Sequence, residues 1–238
     1  MNPRHIVAIP AAAAVATFAW LAMPSALSLL APAAAVAAET QSSELGPQAL
    51  MDDVSRRMFA ALDSNRAAIH QDPKKVYPLV DQILLPHFDT EYAAQLVLAQ
   101  HWRTATPEQR KRFVDALYQA LLRTYSDALA DFTSDRLKLL PFRGDPAATQ
   151  ATVHTEVTRS SGTVVPVDYR LRKTEDGWKA FDVIIEGISY VRNYRTDFGE
   201  EISQKGLEEV ITRLEREGLD LNARPGTAKS PPPAAGAR

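Results

Sequence analysis

Cysteine is absent from the 238-residue sequence, and only ten of its residues are glycine. The lack of cysteine excludes disulfides, thiolate metal sites and a thiol nucleophile, and it is compatible with an oxidising compartment. The sequence also has no glycine-rich phosphate-binding loop, no dinucleotide fingerprint and no Gly-x-Ser-x-Gly nucleophile elbow. With 27 basic and 29 acidic residues it lacks the basic excess of nucleic-acid-binding proteins, so we expect no nucleic-acid partner.

Groups that carry chemistry are few and scattered. No two of the five histidines have the spacing of metal ligands. The histidines are His5, His70, His87, His101 and His154. The adjacent carboxylates at positions 52–53 and 200–201 point in different directions on a helix. We therefore expect no catalytic residue, no metal and no cofactor.

Residues 1–38 have the composition of a signal peptide. Arg4 is followed by an apolar run over residues 6–23 and by small residues that suit signal peptidase. An uncleaved membrane anchor is the alternative, because the apolar run is long enough to span a bilayer, although prolines interrupt it. We predict cleavage and export, which leaves residues 39–238 with a net charge of −3, since 26 basic and 29 acidic residues remain.

The C-terminal end is rich in proline and alanine. Residues 218–238 hold too few apolar side chains to offset the entropy of ordering them, so we predict a disordered tail. Residues 39–217 are then left as one folded domain, a length that suits a single core.

Helical spacing of apolar residues dominates the first half of this domain. It predicts helices over residues 47–69, after Pro73 and after Asp89. A longer helix begins at Thr106, with a proline at its first position and Gln109 as the partner in a capping box. The apolar stripe of that helix comprises Phe113, Leu117, Ala120, Leu121, Thr124, Tyr125 and Leu129.

The second half changes to the period of β-strands. Residues 150–159 and 164–173 alternate between apolar and polar side chains. A third strand over residues 178–185 follows a turn and is apolar on both sides at its end. Helical spacing returns over residues 189–204 and again after Gly206. The order of helices, meander and helices predicts an α+β fold in which a curved antiparallel sheet is covered by helices on one face.

Three stretches in this pattern match a known family. They are Trp-Arg-Thr-Ala-Thr (102–106), Val-Pro-Val-Asp-Tyr-Arg-Leu (165–171) with Gly-Trp-Lys (177–179), and Asp-Val-Ile-Ile-Glu-Gly-Ile-Ser (182–189) with Asn-Tyr-Arg (193–195). Over about residues 48–216 the chain resembles the MlaC / toluene-tolerance family of periplasmic phospholipid-binding proteins.

The resemblance implies a soluble periplasmic carrier. Such a protein moves phospholipid between an outer-membrane lipoprotein–porin complex and an inner-membrane ABC transporter with an MCE-domain subunit, and so maintains outer-membrane lipid asymmetry. The phospholipid is cargo and not a cofactor. Its acyl chains are expected in a cavity between the sheet and the helices, with the head group facing water.

The apolar residues of the strands and helices are the candidates for the cavity wall. The expected lipid-binding residues are Val76, Leu79, Val80, Ile83, Leu84, Leu96, Val167, Tyr169, Leu171, Phe181, Val183 and Ile185. Arg103, Arg192 and Arg195 are the candidates for contact with the lipid phosphate, because arginine suits that geometry.

Two other functions stay open at this point. The first is a periplasmic enzyme that acts on a small hydrophobic substrate in a similar fold, with His154, Asp168 or Glu186 in its cavity. The second is an interaction protein whose core is filled. Periodicity alone does not distinguish a filled core from one that holds a ligand.

Overall fold

The computed structural model describes residues 45–130, 132–145, 147–159 and 161–219. The predicted signal peptide and all but the first two residues of the predicted tail lie outside this part of the chain. Within it, no helix is both long enough and apolar enough to cross a bilayer.

Six labelled helices pack with an antiparallel sheet, and most begin where the sequence places them. They are α1 (Pro47–Gln71), α2 (Thr90–Leu98), α3 (Gln100–Thr104), α4 (Pro107–Ala130), α5 (Tyr190–Lys205) and α6 (Leu207–Glu217). The capping box of α4 is confirmed, since the backbone N–H of Thr106 donates to Gln109 Oε1 and the Gln109 N–H donates to Thr106 Oγ1, both at 3.1 Å.

Between α1 and α2 the chain forms a broken segment (residues 73–87) instead of one regular helix. Two 3₁₀ turns, Pro73–Val76 and Leu85–His87, flank a short α-helical turn and the π-helical turn Val80–Leu84. The three prolines of this segment explain the breaks, because proline has no N–H to donate and its ring clashes with the preceding turn.

The sheet is antiparallel throughout, with strands in the order β1-β2-β3-β4-β5. The strands are β1 (Leu137–Leu139), β2 (Gln150–Thr158), β3 (Val164–Thr174), β4 (Gly177–Ile185) and β5 (Ile188–Ser189). The predicted meander is β2-β3-β4, with ends within one residue of those expected. The α+β fold with helices over an antiparallel sheet is confirmed, and two short edge strands extend the predicted sheet.

A β-bulge interrupts the pairing of β3 with β4. Arg170 pairs with Asp182 and Leu171 pairs with Ala180, so Phe181 is the extra residue. Beyond the bulge the alternation of β4 changes phase, and Ala180 and Trp178 pack in the cluster under α1. Phe181 instead packs edge-on against Tyr92 of α2, with ring centroids 5.2 Å apart.

The core divides into three clusters. One lies among α2 to α6, around Phe113 and Phe198, and a second joins α1 to the broken segment around Leu62. The third packs Leu50 and Val54 of α1 on one end of the sheet. The other end of the same sheet face is not covered by α1, and the cavity described below lies over it.

Candidate ligand-binding site

A cavity of about 460 Å³ lies between the sheet and helix α4. The sheet contributes Val157, Val165, Val167, Tyr169, Val183 and Ile185. Helix α4 contributes Val114, Leu117, Tyr118, Leu121, Leu122, Tyr125, Ser126, Ala128 and Leu129. The rest of the wall is Val76, Val80, Leu84 and Leu85 from the broken segment, with Phe88, Thr90, Ala93, Phe132 and Arg159. The wall is predominantly apolar and suits an apolar ligand.

Strand alternation explains the sheet side of this wall. Successive side chains of a strand point to opposite faces, so Val165, Val167 and Tyr169 share the helix-facing side of β3. In the antiparallel register Val167 pairs with Ile185 and Tyr169 pairs with Val183, which places two more apolar side chains beside them. The inward face of the meander is therefore apolar where the cavity lies.

The helix side is built by a stripe on α4. Leu117, Leu121, Tyr125 and Leu129 follow one another at intervals of four residues, and such residues lie on one side of an α-helix. The stripe was visible in the sequence as part of the amphipathic pattern of α4, but the prediction placed the opposite wall on other helices. Helix α4 is the largest contribution that the prediction missed.

Polar groups in the wall are mostly partnered with protein. The Tyr118 hydroxyl donates to Asp81 of the broken segment, and the hydroxyls of Tyr125 and Tyr194 lie 3.0 Å apart. Burial raises the pKa of Tyr125, and burial raises the pKa of Tyr169 to about 12. These phenols are neutral at physiological pH, so they add no charge to the cavity.

Arg159 is the one charged side chain among the described residues that line the cavity. It follows β2 and continues the alternation of Val153, Thr155 and Val157, which puts its side chain on the helix-facing side. Its Nη2 donates to Glu186 Oε2 at 3.0 Å. The alternation of positions 153, 155 and 157 also predicts this orientation for position 159, although the prediction did not name Arg159.

Seven of the twelve predicted lipid-binding residues line the cavity. They are Val76, Val80, Leu84, Val167, Tyr169, Val183 and Ile185. The structure brings them together from the broken segment, β3 and β4. Their contact with a lipid stays a prediction.

The other five do not line it, for identifiable reasons. Leu171 is fully buried under α1, and Phe181 is displaced by the bulge. Leu79 and Ile83 pack against the cluster around Leu62. Leu96 lies on α2 outside the wall, to which that helix contributes Thr90 and Ala93.

The three predicted head-group arginines are also outside the wall. Arg103, Arg192 and Arg195 are exposed. On α5 the core-facing positions are Val191, Tyr194, Phe198 and Ile202, so the neighbouring positions 192 and 195 point away from the core. None of the three arginines lines the cavity, and their contact with a lipid phosphate stays a prediction.

The three residues on which the enzyme alternative depends are not in the cavity. His154 and Asp168 pair across β2 and β3 on the outer face of the sheet, where His154 Nδ1 lies 2.8 Å from Asp168 Oδ1. Glu186 lies in the β4–β5 turn. The cavity itself also distinguishes this structure from an interaction protein with a filled core.

The sequence model of the MlaC protein family matches residues 52–216, which is more than half of the chain. This chain belongs to the MlaC family. The resemblance noted in the sequence is thereby confirmed, and the match spans every labelled helix and strand, apart from the first five residues of α1 and the last residue of α6.

Named relatives cover most of the chain. The "Intermembrane phospholipid transport system binding protein MlaC" of Haemophilus influenzae is 22% identical over 181 residues, or 74% of this chain and 84% of that protein. The "Toluene tolerance protein ttg2D" of Pseudomonas putida is 28% identical over 176 residues, or 74% and 79%.

A solved structure shares the MlaC-family fold seen here. It is a phospholipid-binding protein from Ralstonia solanacearum in complex with a phospholipid, and it is 29% identical. The two structures superpose with a TM-score of 0.67 over 72% of this chain and 96% of that one.

Proposed function

We propose that this chain is a periplasmic phospholipid carrier whose acyl-chain site is the cavity between the sheet and α4. The observation that carries the proposal is the apolar wall of a 460 Å³ cavity, interrupted by a single charged residue among the described ones. Family membership supports it, as do the phospholipid named with the Ralstonia solanacearum structure and the transport role named for the Haemophilus influenzae relative.

The physical need for a carrier follows from the cost of exposing acyl chains to water. Each buried methylene contributes about 0.8 kcal/mol, so two chains represent roughly 20 kcal/mol or more. A free lipid therefore does not cross an aqueous compartment at a useful rate. A bilayer solvates the chains about as well as a protein cavity does, so the cavity has only to match the membrane, and partners decide where lipid is released.

The proposed partners follow from the family. They are an inner-membrane ABC transporter with an MCE-domain subunit and an outer-membrane lipoprotein–porin complex, with outer-membrane lipid asymmetry as the outcome. Transfer of labelled phospholipid from donor to acceptor vesicles, with and without this chain, tests the carrier step alone. Adding each purified partner complex to the donor or acceptor side then tests the partner assignment.

The first test is organic extraction of the purified mature chain, residues 39–238, followed by mass spectrometry. We expect near-stoichiometric phospholipid. A matched pair of variants locates the site, because Val167 is buried in the wall whereas Val164, on the same strand, is 55% exposed. Val167→Asp should lower the lipid recovered per folded protein, and Val164→Asp should not. A folded, monodisperse wild-type chain that yields no lipid would overturn the proposal.

A further inference from the structure

The cavity has one charged group at its edge. Arg159 lines the cavity, and its side chain is 29% exposed, so it lies where the apolar wall meets solvent. The hairpin turn after β2 fixes its position, because the Arg159 N–H donates to the Thr163 carbonyl at 2.8 Å and the Gly162 N–H donates to the Arg159 carbonyl at 2.8 Å.

The guanidinium of Arg159 is only partly satisfied. Its Nη2 donates to Glu186, but its Nε is buried and has no hydrogen-bond acceptor in the structure described. A buried donor without an acceptor is unfavourable and marks a place where a ligand atom would be stabilising. Arginine presents its donors as a planar fork that matches the oxygens of a phosphate.

Glu186 is a weak competitor for this fork. Its side chain is 54% exposed, and an ion pair between solvent-exposed groups contributes little net stability. It lies in the two-residue turn between β4 and β5, where Glu186 has a φ of 52° and Gly187 a φ of 82°, as in a type I′ hairpin. The turn holds the carboxylate beside the cavity edge without burying it.

We infer that Arg159 binds the phosphate of the cargo lipid at the cavity edge, and that Glu186 is the counter-ion which the phosphate displaces. The inference rests on the proposed function, since it concerns the head group of a lipid whose chains occupy the cavity. The protein should therefore bind lipids with an anionic phosphate more tightly than lipids of equal chain length without one.

The test compares two probes with identical short acyl chains, a phosphatidylglycerol and a diacylglycerol, by calorimetric titration of the delipidated mature chain. The wild type should bind the phospholipid about tenfold or more tightly than the diacylglycerol. Arg159→Gln should remove most of this ratio, because it should lower phospholipid affinity far more than diacylglycerol affinity. Arg192→Gln, at an exposed arginine outside the wall, should keep the ratio.

Glu186→Gln should change phospholipid affinity in the direction opposite to Arg159→Gln. Removing the competing carboxylate should strengthen phospholipid binding relative to diacylglycerol binding, whereas the loss of a purely structural ion pair would weaken both. Arg159→Lys keeps the charge but loses the Nε donor, so it should retain part of the ratio. It also provides a folded variant if the glutamine variant unfolds.

The outcomes separate this inference from the proposed function. A wild type that binds both probes equally, or an Arg159→Gln variant with an unchanged ratio, overturns the role of Arg159 alone. A wild type that binds neither probe overturns the carrier proposal and this inference with it. Titration with inorganic phosphate distinguishes the anion source, since saturable binding that depends on Arg159 but leaves phospholipid affinity unaffected would identify a free-anion site and overturn the inference.

Discussion

Filling the cavity by a known number of carbon atoms should shorten the acyl chain that it holds by the same number. A cavity of about 150 Å³ accommodates the six carbons of benzene, which corresponds to about 25 Å³ per carbon. The 460 Å³ here then holds roughly 18 carbons, or about one acyl chain. Ala93 of α2 lines this space and is only 8% exposed, which makes it a suitable position for added volume.

Ala93→Leu adds three carbons, or about 75 Å³ on the same scale. If each added carbon displaces one methylene of the ligand, at about 0.8 kcal/mol per methylene, a chain that fills the cavity should lose about 2.4 kcal/mol, or roughly 50-fold in affinity. The lipid-free protein should not be destabilised, because the leucine fills empty space. This combination of weaker binding and intact stability is the signature expected of a cavity residue.

The assay is a calorimetric titration of the delipidated chain with monoacyl phospholipids of increasing length. Wild-type affinity should rise by about tenfold for every two methylenes until the cavity is full. In Ala93→Leu the plateau should come about three carbons earlier. Ala60→Leu makes the same change at an exposed position of α1 and should leave the series unaltered. An unshifted plateau in Ala93→Leu would refute the volume argument.

Two stability predictions concern groups outside the cavity. Asp182 is 1% exposed and accepts a hydrogen bond from Ser189 Oγ at 2.6 Å. Asp182→Ala should therefore lower the free energy of unfolding in urea by about 2–3 kcal/mol. Asp176→Ala, at an exposed carboxylate, should lower it by almost nothing. Burial, and secondarily the charge of Arg57, lowers the pKa of His87, so the neutral imidazole is favoured in the folded protein. The contribution of His87 to the free energy of unfolding should therefore be lost as pH falls below about 6.5, where the unfolded chain binds a proton more readily. Unfolding at pH 7.5 and 5.5 should show a smaller pH dependence in His87→Gln, and an unchanged dependence would contradict this.

The ends of β2, β3 and β4 were predictable to within one residue because β2 and β3 alternate over nine or more positions and turns bound all three strands. The bulge was not predictable, since nothing in the sequence around Phe181 shows that it is the unpaired residue. A bulge depends on the register between two strands, which a single-strand pattern does not contain. That is why Val183 and Ile185 line the cavity, whereas Phe181 does not.

The cavity wall was less predictable than the sheet, because it depends on which helix lies over which end of the sheet. Leu171 has the same alternation as Val167, yet α1 covers one and α4 faces the other. No periodicity distinguishes these two environments. Arg159 is a different case, because the alternation of β2 was sufficient to place it on the inner face, and its charge makes it unusual there.

The volume also bears on how a lipid with two chains is held. About 18 carbons of space accommodate one chain, so a diacyl lipid requires the wall to expand by a comparable volume. Helix α4 is continuous over 24 residues and the sheet is hydrogen-bonded along its length, whereas the broken segment (residues 73–87) is interrupted by prolines and a π-helical turn. We therefore expect diacyl lipid, but not monoacyl lipid, to change amide hydrogen exchange in that segment more than in α4. An equal change in amide hydrogen exchange in both elements would show that the wall does not expand at the broken segment.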